Sequence, residues 1–288
     1  MNAAMRTPSP LAPILADVAT AECRRARRAL GDTRQRHRGI HEARKALRRL
    51  KSLLRLGGTT FADALPSLEK AIDRLAVGLS SVRDAHVAVD TAGMLADSLD
   101  DADACDAWAR AIERLAQRSE ACLADALNDD PGFQRRRREV DDLARQVQSL
   151  DWQRLTTEDI AIALAHSERR VTRARKRMGK AATVANLHRW RRRARRLRMQ
   201  LELLRKARKA AGQPAPAHAS RDKALARAMS SLSDAIGARQ DLRLLRTILR
   251  RVADADTAPV LIRATTRALK AHRLPTDAAE MPGVDAPH

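Results

Sequence analysis

The strongest constraint on this chain is a motif that occurs twice. His41-Glu42-Ala43-Arg44-Lys45-Ala46-Leu47-Arg48-Arg49-Leu50-Lys51 aligns without gaps with His188-Arg189-Trp190-Arg191-Arg192-Arg193-Ala194-Arg195-Arg196-Leu197-Arg198, 147 residues later. The histidine, the cations at +3, +4, +7, +8 and +10, and the leucine at +9 all correspond. A shorter correspondence pairs residues 79–84 with 236–241 at an offset of 157, so about ten extra residues fall in the second half. The Gly212-Gln213-Pro214-Ala215-Pro216 loop is the natural place for them. A repeat on this scale points to two copies of a helical bundle.

Laid on a helix at about 100° per residue, each copy has two faces. His41, Arg44, Lys45, Arg48, Lys51 and Arg55 share one stripe, and Ala43, Ala46, Leu47, Leu50, Leu53 and Leu54 lie opposite. In the second copy His188, Arg191, Arg192, Arg195 and Arg198 share a stripe, with Leu197, Leu201 and Leu204 opposite, beside Trp190. Each helix therefore has one face for a core and one face of nearly unbroken cation. A charged helical face is ordinarily just solvated. These cations lack the i,i+4 acidic partners that such a face carries, and like charges at that spacing repel. Doing this twice at matched positions calls for an external anion.

Charge is uneven along the whole chain. The 288 residues hold 56 Lys+Arg against 35 Asp+Glu, a formal charge of +21. Residues 1–60 carry +10 and 131–210 carry +16, whereas 61–130 carry −9. Solubility alone would interleave the signs. With no Tyr, two Phe and three Trp, the stacking platforms of single-strand nucleic-acid binders are nearly absent. What remains is attraction to phosphate itself or to another acidic surface. No apolar stretch approaches the ~18 residues of a membrane span, and the first 25 residues lack the pattern of a signal peptide. Cys23, Cys105 and Cys122 form no C-x-x-C, which suits a reduced, cytoplasmic chain with small buried thiols.

Ala, Leu, Arg and Glu dominate, and apolar residues recur at three and four, so an all-α chain is expected. The spacing predicts eleven helices, over 10–36, 39–56, 65–80, 83–98, 103–127, 134–149, 157–179, 184–211, 220–237, 239–253 and 258–273. Thr156 with Asp159 forms a capping box. The chain reads as a single domain over 1–288, with internal halves at about 10–150 and 151–273 and a loose tail at 274–288.

Metal binding and catalysis find little support. His37 and His41 are four apart, but no neighbouring carboxylate or thiol completes a ligand set. The Asp-rich run 97–106 lacks the glycine and terminal Glu of an EF-hand loop. There is no P-loop and no nucleophile with a positioned base. Asp84 and Asp241, with Arg83, are candidates to hold an arginine rotamer toward a ligand rather than touch it. Arg24 and Arg28 in the first helix, and Arg170, Arg173 and Arg177 before the second motif, precede their histidines by similar distances and extend the basic surface.

The two histidine motifs, the segments ending in Asp84 and Asp241, and their order resemble the CHAD domain, the conserved-histidine α-helical domain. The resemblance spans about residues 10–273. It implies two four-helix bundles related by a pseudo-two-fold internal repeat, facing each other across a basic groove or pore. It also implies that inorganic polyphosphate binds there, since family members do so and some localise to polyphosphate granules. His41, Arg44, Lys45, Arg48 and Lys51, with His188, Arg191, Arg192, Arg195 and Arg198, occupy the positions of the basic lining. Many relatives carry an N-terminal CYTH domain; with about 10 residues before the first helix, a stand-alone CHAD domain is expected. Two positions depart from the pattern: Glu202 stands where Arg55 stands in the first copy, and Gln240 where Arg83 does.

The reading is a polyphosphate-binding, non-enzymatic module without cofactor, metal or membrane contact, cytoplasmic and with granule components as further partners. Nucleic acid is expected as a weaker competitor. The alternatives are a non-specific nucleic-acid-binding protein and a polyphosphate-metabolising enzyme.

Overall fold

The computed structural model describes residues 7–98 and 102–272, with side chains from residue 105 onward in the second stretch. The expected tail at 274–288 and part of the Asp-rich run lie outside the described residues. Ten α-helices are present among the described residues: α1 (Ala12–Gly31), α2 (Arg36–Leu54), α3 (Leu65–Val77), α4 (Ser80–Ala96), α5 (Ala102–Asp129), α6 (Gln134–Gln148), α7 (Thr157–Lys180), α8 (Val184–Ala210), α9 (Ala219–Val252) and α10 (Ala258–Ala271). No strand occurs among them, and the fold is all-α as the periodicity predicts. None of these helices is long and apolar enough to cross a membrane.

Local chemistry explains the joints. Asp32 Oδ1 accepts from the backbone N–H groups of Arg34 and Gln35 at 3.0 Å each, closing the turn between α1 and α2. A Cβ at Gly39 would stand 2.3 Å from the Ala29 carbonyl oxygen, so glycine is what lets α2 start against α1. The Thr156–Asp159 capping box forms, each side chain accepting the other's backbone N–H at 3.1 Å. Asp159 also receives the Thr60 hydroxyl at 3.2 Å, which ties the start of α7 to the loop after α2.

Eleven helices were expected, with a break between 220–237 and 239–253 that falls beside Gly237. The structure runs straight through it: α9 is one helix of 34 residues. At the offset of 157, its two parts correspond to α3 and α4, which the first half separates by a turn at Gly78 and Leu79.

Buried apolar side chains fall into three clusters. The first fills the space among α1, α2, α3 and α6, with Leu15, Leu30, Leu47, Leu50 and Phe61 at its centre. The second joins α7, α8 and the first part of α9 through Val171, Trp190, Leu197, Met229 and Ile236. The third joins α4 and α5 to the end of α9 and α10 through Trp108, Leu245, Leu249 and Leu261. Each fully buried leucine contributes about 1.5–3 kcal/mol relative to exposure. The third cluster draws on both sides of residue 150, so the chain is closed by interleaving its halves. Of the three cysteines only Cys23 is fully buried, where desolvation and then Glu22 push its thiol up to about 12; Cys105 is exposed, against the expectation of buried thiols.

Candidate functional site

The two motif helices meet each other. Gln200 donates to the Ser52 carbonyl at 3.1 Å, and the Ser52 hydroxyl, which donates to the Arg48 carbonyl at 2.8 Å, lies 3.6 Å from Met199 Sδ. Ser52 and Met199 are equivalent positions, 147 apart. This crossing brings the cationic stripes of α2 and α8 to face one space, which α4 and α9 flank. One cavity there, of about 570 Å³, is lined by His41, Arg44 and Arg48 of α2 and by His188, Arg191, Arg192 and Arg195 of α8. Arg83 and Asp84 of α4 and Gln240, Asp241 and Arg243 of α9 complete it. A second cavity of about 750 Å³ shares His41, Arg48 and Arg195 with the first, and continues past Arg25, Lys45, Arg49, Arg198 and Lys206. The shared side chains make the two cavities segments of one groove.

The arginines are held from behind. Arg44 donates to the Ala76 carbonyl of α3, and Arg191 donates through Nε to the Ser233 carbonyl of α9 at 3.0 Å. These carbonyls are again equivalent, at the offset of 157. Gly237 permits the second contact: a Cβ there would lie 2.4 Å from Arg191 Nη2. Arg83 reaches Asp84 at 2.9 Å and Asp241 at 3.4 Å, so both aspartates hold one arginine. Gln240 does what an arginine at its position could not. Its carbonyl oxygen accepts from Arg191 Nη1 at 2.8 Å, and its amide nitrogen lies 2.7 Å from His188 Nδ1. That assigns the acceptor role to Nδ1 and leaves the Nε2–H of a neutral His188 as its donor.

The charge is compressed. Burial, then the neighbouring Arg44, Arg83 and Arg191, depress the Arg48 guanidinium to about 10. Burial, then Arg191, Arg48 and Arg198, depress Arg195 to about 9. His41 is lowered by burial and then by Arg48, and His188 by burial and then by Arg192 and Arg191. Arg48 has no ion pair among the described residues, and its Nε is buried without an acceptor. Asp84 and Asp241, the carboxylates of the first cavity, are engaged by Arg83, and in the second Glu22, Glu42 and Glu202 pair with Arg25, Lys45 and Arg198, with Asp234 also in its lining. A multivalent anion entering the groove would satisfy these N–H groups with charge-assisted bonds and relieve the repulsion.

A family model for the CHAD domain matches residues 15–250. The chain belongs to the CHAD domain family. Among solved structures, the CHAD domain from the plant Ricinus communis is similar at 19% identity, covering 100% of this chain and 96% of its own, with a TM-score of 0.68. PptA from Streptomyces chartreusis is similar at 17% identity, covering 93% of this chain and 97% of its own, with a TM-score of 0.54. At these identities the likeness concerns the fold. Among curated proteins none matches.

This CHAD domain does not gather every cation that the motif suggests. Lys51 pairs with Asp73 at 2.6 Å, and Arg55 pairs with Glu69; both carboxylates come from α3. A wheel drawn for α2 alone puts both residues on the stripe, but α3 packs over that end and neutralises it. Lys45 and Arg198 line the groove while pairing with Glu42 at 3.3 Å and Glu202 at 2.9 Å. Arg24 and Arg28 are exposed on α1 and line no described cavity of the groove. Arg170, Arg173 and Arg177 come together, in a separate cavity on the far side of α8. Arg25, Arg49, Lys206 and Arg243 were missed as lining residues. Arg49 at motif position +8 was the one carrying a signal, since its cation recurs as Arg196.

Proposed function

We propose that this CHAD domain binds inorganic polyphosphate along the groove between α2 and α8, as a binding module rather than an enzyme. The observation that carries the reading is the pair Arg48 and Arg195. These equivalent residues, from the two motif copies, line both segments of the groove, partly buried, with depressed guanidinium pKa values and no carboxylate ion pair among the described residues. Folding gains nothing from that arrangement; a chain of phosphates does. Arg44, Arg191 and Arg83, locked by carbonyls and aspartates, line the same passage with fixed rotamers, which lowers the entropy lost on binding. His41 and His188 add ring N–H donors that become cationic beside the anion. The reading extends to duplication: the two halves are copies related by a pseudo-two-fold axis near Ser52 and Met199. Attachment to polyphosphate granules follows if long chains thread the groove, and duplex DNA is the weaker competitor.

The test is a double substitution, Arg48→Gln with Arg195→Gln. Polyphosphate affinity at low salt should fall at least tenfold, and the slope of log affinity against log salt should shrink by about 1.4, roughly 0.7 for each lost phosphate contact. Unchanged affinity and slope in a variant of unchanged helical content would refute the site.

A further inference from the structure

A second basic cavity, of about 310 Å³, lies between α7 and α8, lined by His166, Arg170, Arg173, Arg177 and Arg193 with Ala174. The α7 residues recur at intervals of four, three and four, so they share one helix face. Arg193 projects about 160° around α8 from both Arg191 and Arg195, so the body of α8 separates this cavity from the groove. No carboxylate lines it. None of its four arginines forms an ion pair or side-chain hydrogen bond among the described residues. The charged groups acting on His166 are Arg170, Arg169, Arg173 and Arg55, and those on Arg193 are Arg170, Arg177, Arg189 and Arg192: every one a cation.

The first half shows what is missing. The buried positions of α1 and α7 match at an offset of 148, with Ala12, Leu15, Cys23 and Ala26 against Ile160, Ala163, Val171 and Ala174. Arg170 then stands where Glu22 stands, and Arg173 where Arg25 stands. In the first half Glu22 bonds Arg25 at 2.8 Å and lies 3.6 Å from Arg49, whose motif equivalent is Arg196. An internal carboxylate thus neutralises two arginines between α1 and α2. Between α7 and α8 an arginine replaces that carboxylate and none lines the cavity; the carboxylate acting on Arg196 is Glu69, which is paired with Arg55.

We propose that this cavity is a second anion site, independent of the groove, that takes a compact condensed phosphate in the place that Glu22 fills in the first half. The His166 ring and the Arg170, Arg173 and Arg193 guanidiniums would donate to its oxygens, with Arg177 closing the outer side. A free short condensed phosphate and the end of a long chain share this chemistry.

The experiment titrates inorganic tripolyphosphate into the full chain, following the His166 ring by NMR and the stoichiometry by calorimetry. Arg170→Glu rebuilds the carboxylate of the first half inside the second, so it should keep the fold. It should raise the melting temperature at low salt, abolish the His166 response and lower the stoichiometry by one. Arg48→Gln with Arg195→Gln should leave the His166 response intact, which separates failure of this site from failure of the groove. A long-chain polyphosphate arm assigns the source: a His166 response there shows that chain ends also enter, and a response to tripolyphosphate alone shows a site for free short phosphates. A wild-type His166 signal that ignores tripolyphosphate, or an Arg170→Glu variant with wild-type stoichiometry, would overturn the proposal.

Discussion

Replacing Arg195 by Gln should stabilise the ligand-free protein while weakening its grip on polyphosphate. Arg195 is depressed to about 9 because burial and four neighbouring arginines disfavour its charge. For a base lowered in the folded state, the charged form costs stability at every pH below the folded value, so the cost is fully present at neutrality. A displacement of this size corresponds to at most about 5 kcal/mol at 1.36 kcal/mol per pKa unit. The groove is open to water, and an effective dielectric nearer that of surface sites reduces this to about 1.5–2 kcal/mol. Against it stands the hydrogen bond from Arg195 Nε to the Ser233 hydroxyl at 3.3 Å, worth about 0.5–1 kcal/mol. The net expectation is a gain of about 1 kcal/mol, or a melting temperature higher by about 2 °C. Thermal and urea unfolding of Arg195→Gln in low and high salt measures this, and the gain should shrink as salt screens the repulsion. A loss of more than 1 kcal/mol at low salt would refute the reasoning, because it would make Arg195 a structural residue rather than a ligand-facing one.

Other consequences are as direct. His41 and His188 titrate lower in the fold than in the unfolded chain, so the unfolded state binds more protons near pH 6. Ligand-free stability should therefore fall as pH drops through about 6.5, whereas polyphosphate affinity should rise over the same interval with measurable proton uptake. His41→Gln with His188→Gln should flatten both profiles, and an unaltered profile would remove the histidines from the site. Gly237→Ala gains about 1 kcal/mol of helix propensity but pushes the Arg191 guanidinium off the Ser233 carbonyl. Stability should change by less than about 1 kcal/mol and polyphosphate affinity should fall severalfold; unchanged binding would mean that the Arg191 rotamer does not matter. Lys51→Ala should leave affinity within about twofold, since Asp73 already neutralises that lysine, and a larger loss would restore Lys51 to the lining.

Much of this arrangement was legible in the residues alone. Periodicity placed the helices, Thr156 and Asp159 marked the start of α7, and the motif copies named seven residues, among them Arg44, Arg48, Arg191 and Arg195, that meet in one cavity. The suggestion that Asp84 and Asp241 hold an arginine also has its counterpart, in Arg83. What was illegible depended on neighbours from elsewhere in the chain. Asp73 and Glu69 neutralise Lys51 and Arg55 only because α3 lies across the end of α2. The break expected between 237 and 239 does not occur, and the missing side chain of Gly237 makes room for Arg191. Gln240 looked like a lapse in the repeat, and it bridges Arg191 to His188. Glu22 and Arg170 became comparable only once burial aligned α1 with α7, since no motif spans either helix.

The most direct test of the central claim is binding of long-chain polyphosphate in competition with duplex DNA across a salt series. The account predicts tight, steeply salt-dependent binding that excess DNA does not displace, because the cations lie partly buried in a groove rather than on an open face. Equal displacement by DNA at matched phosphate concentration would contradict it and reduce the groove to generic positive charge.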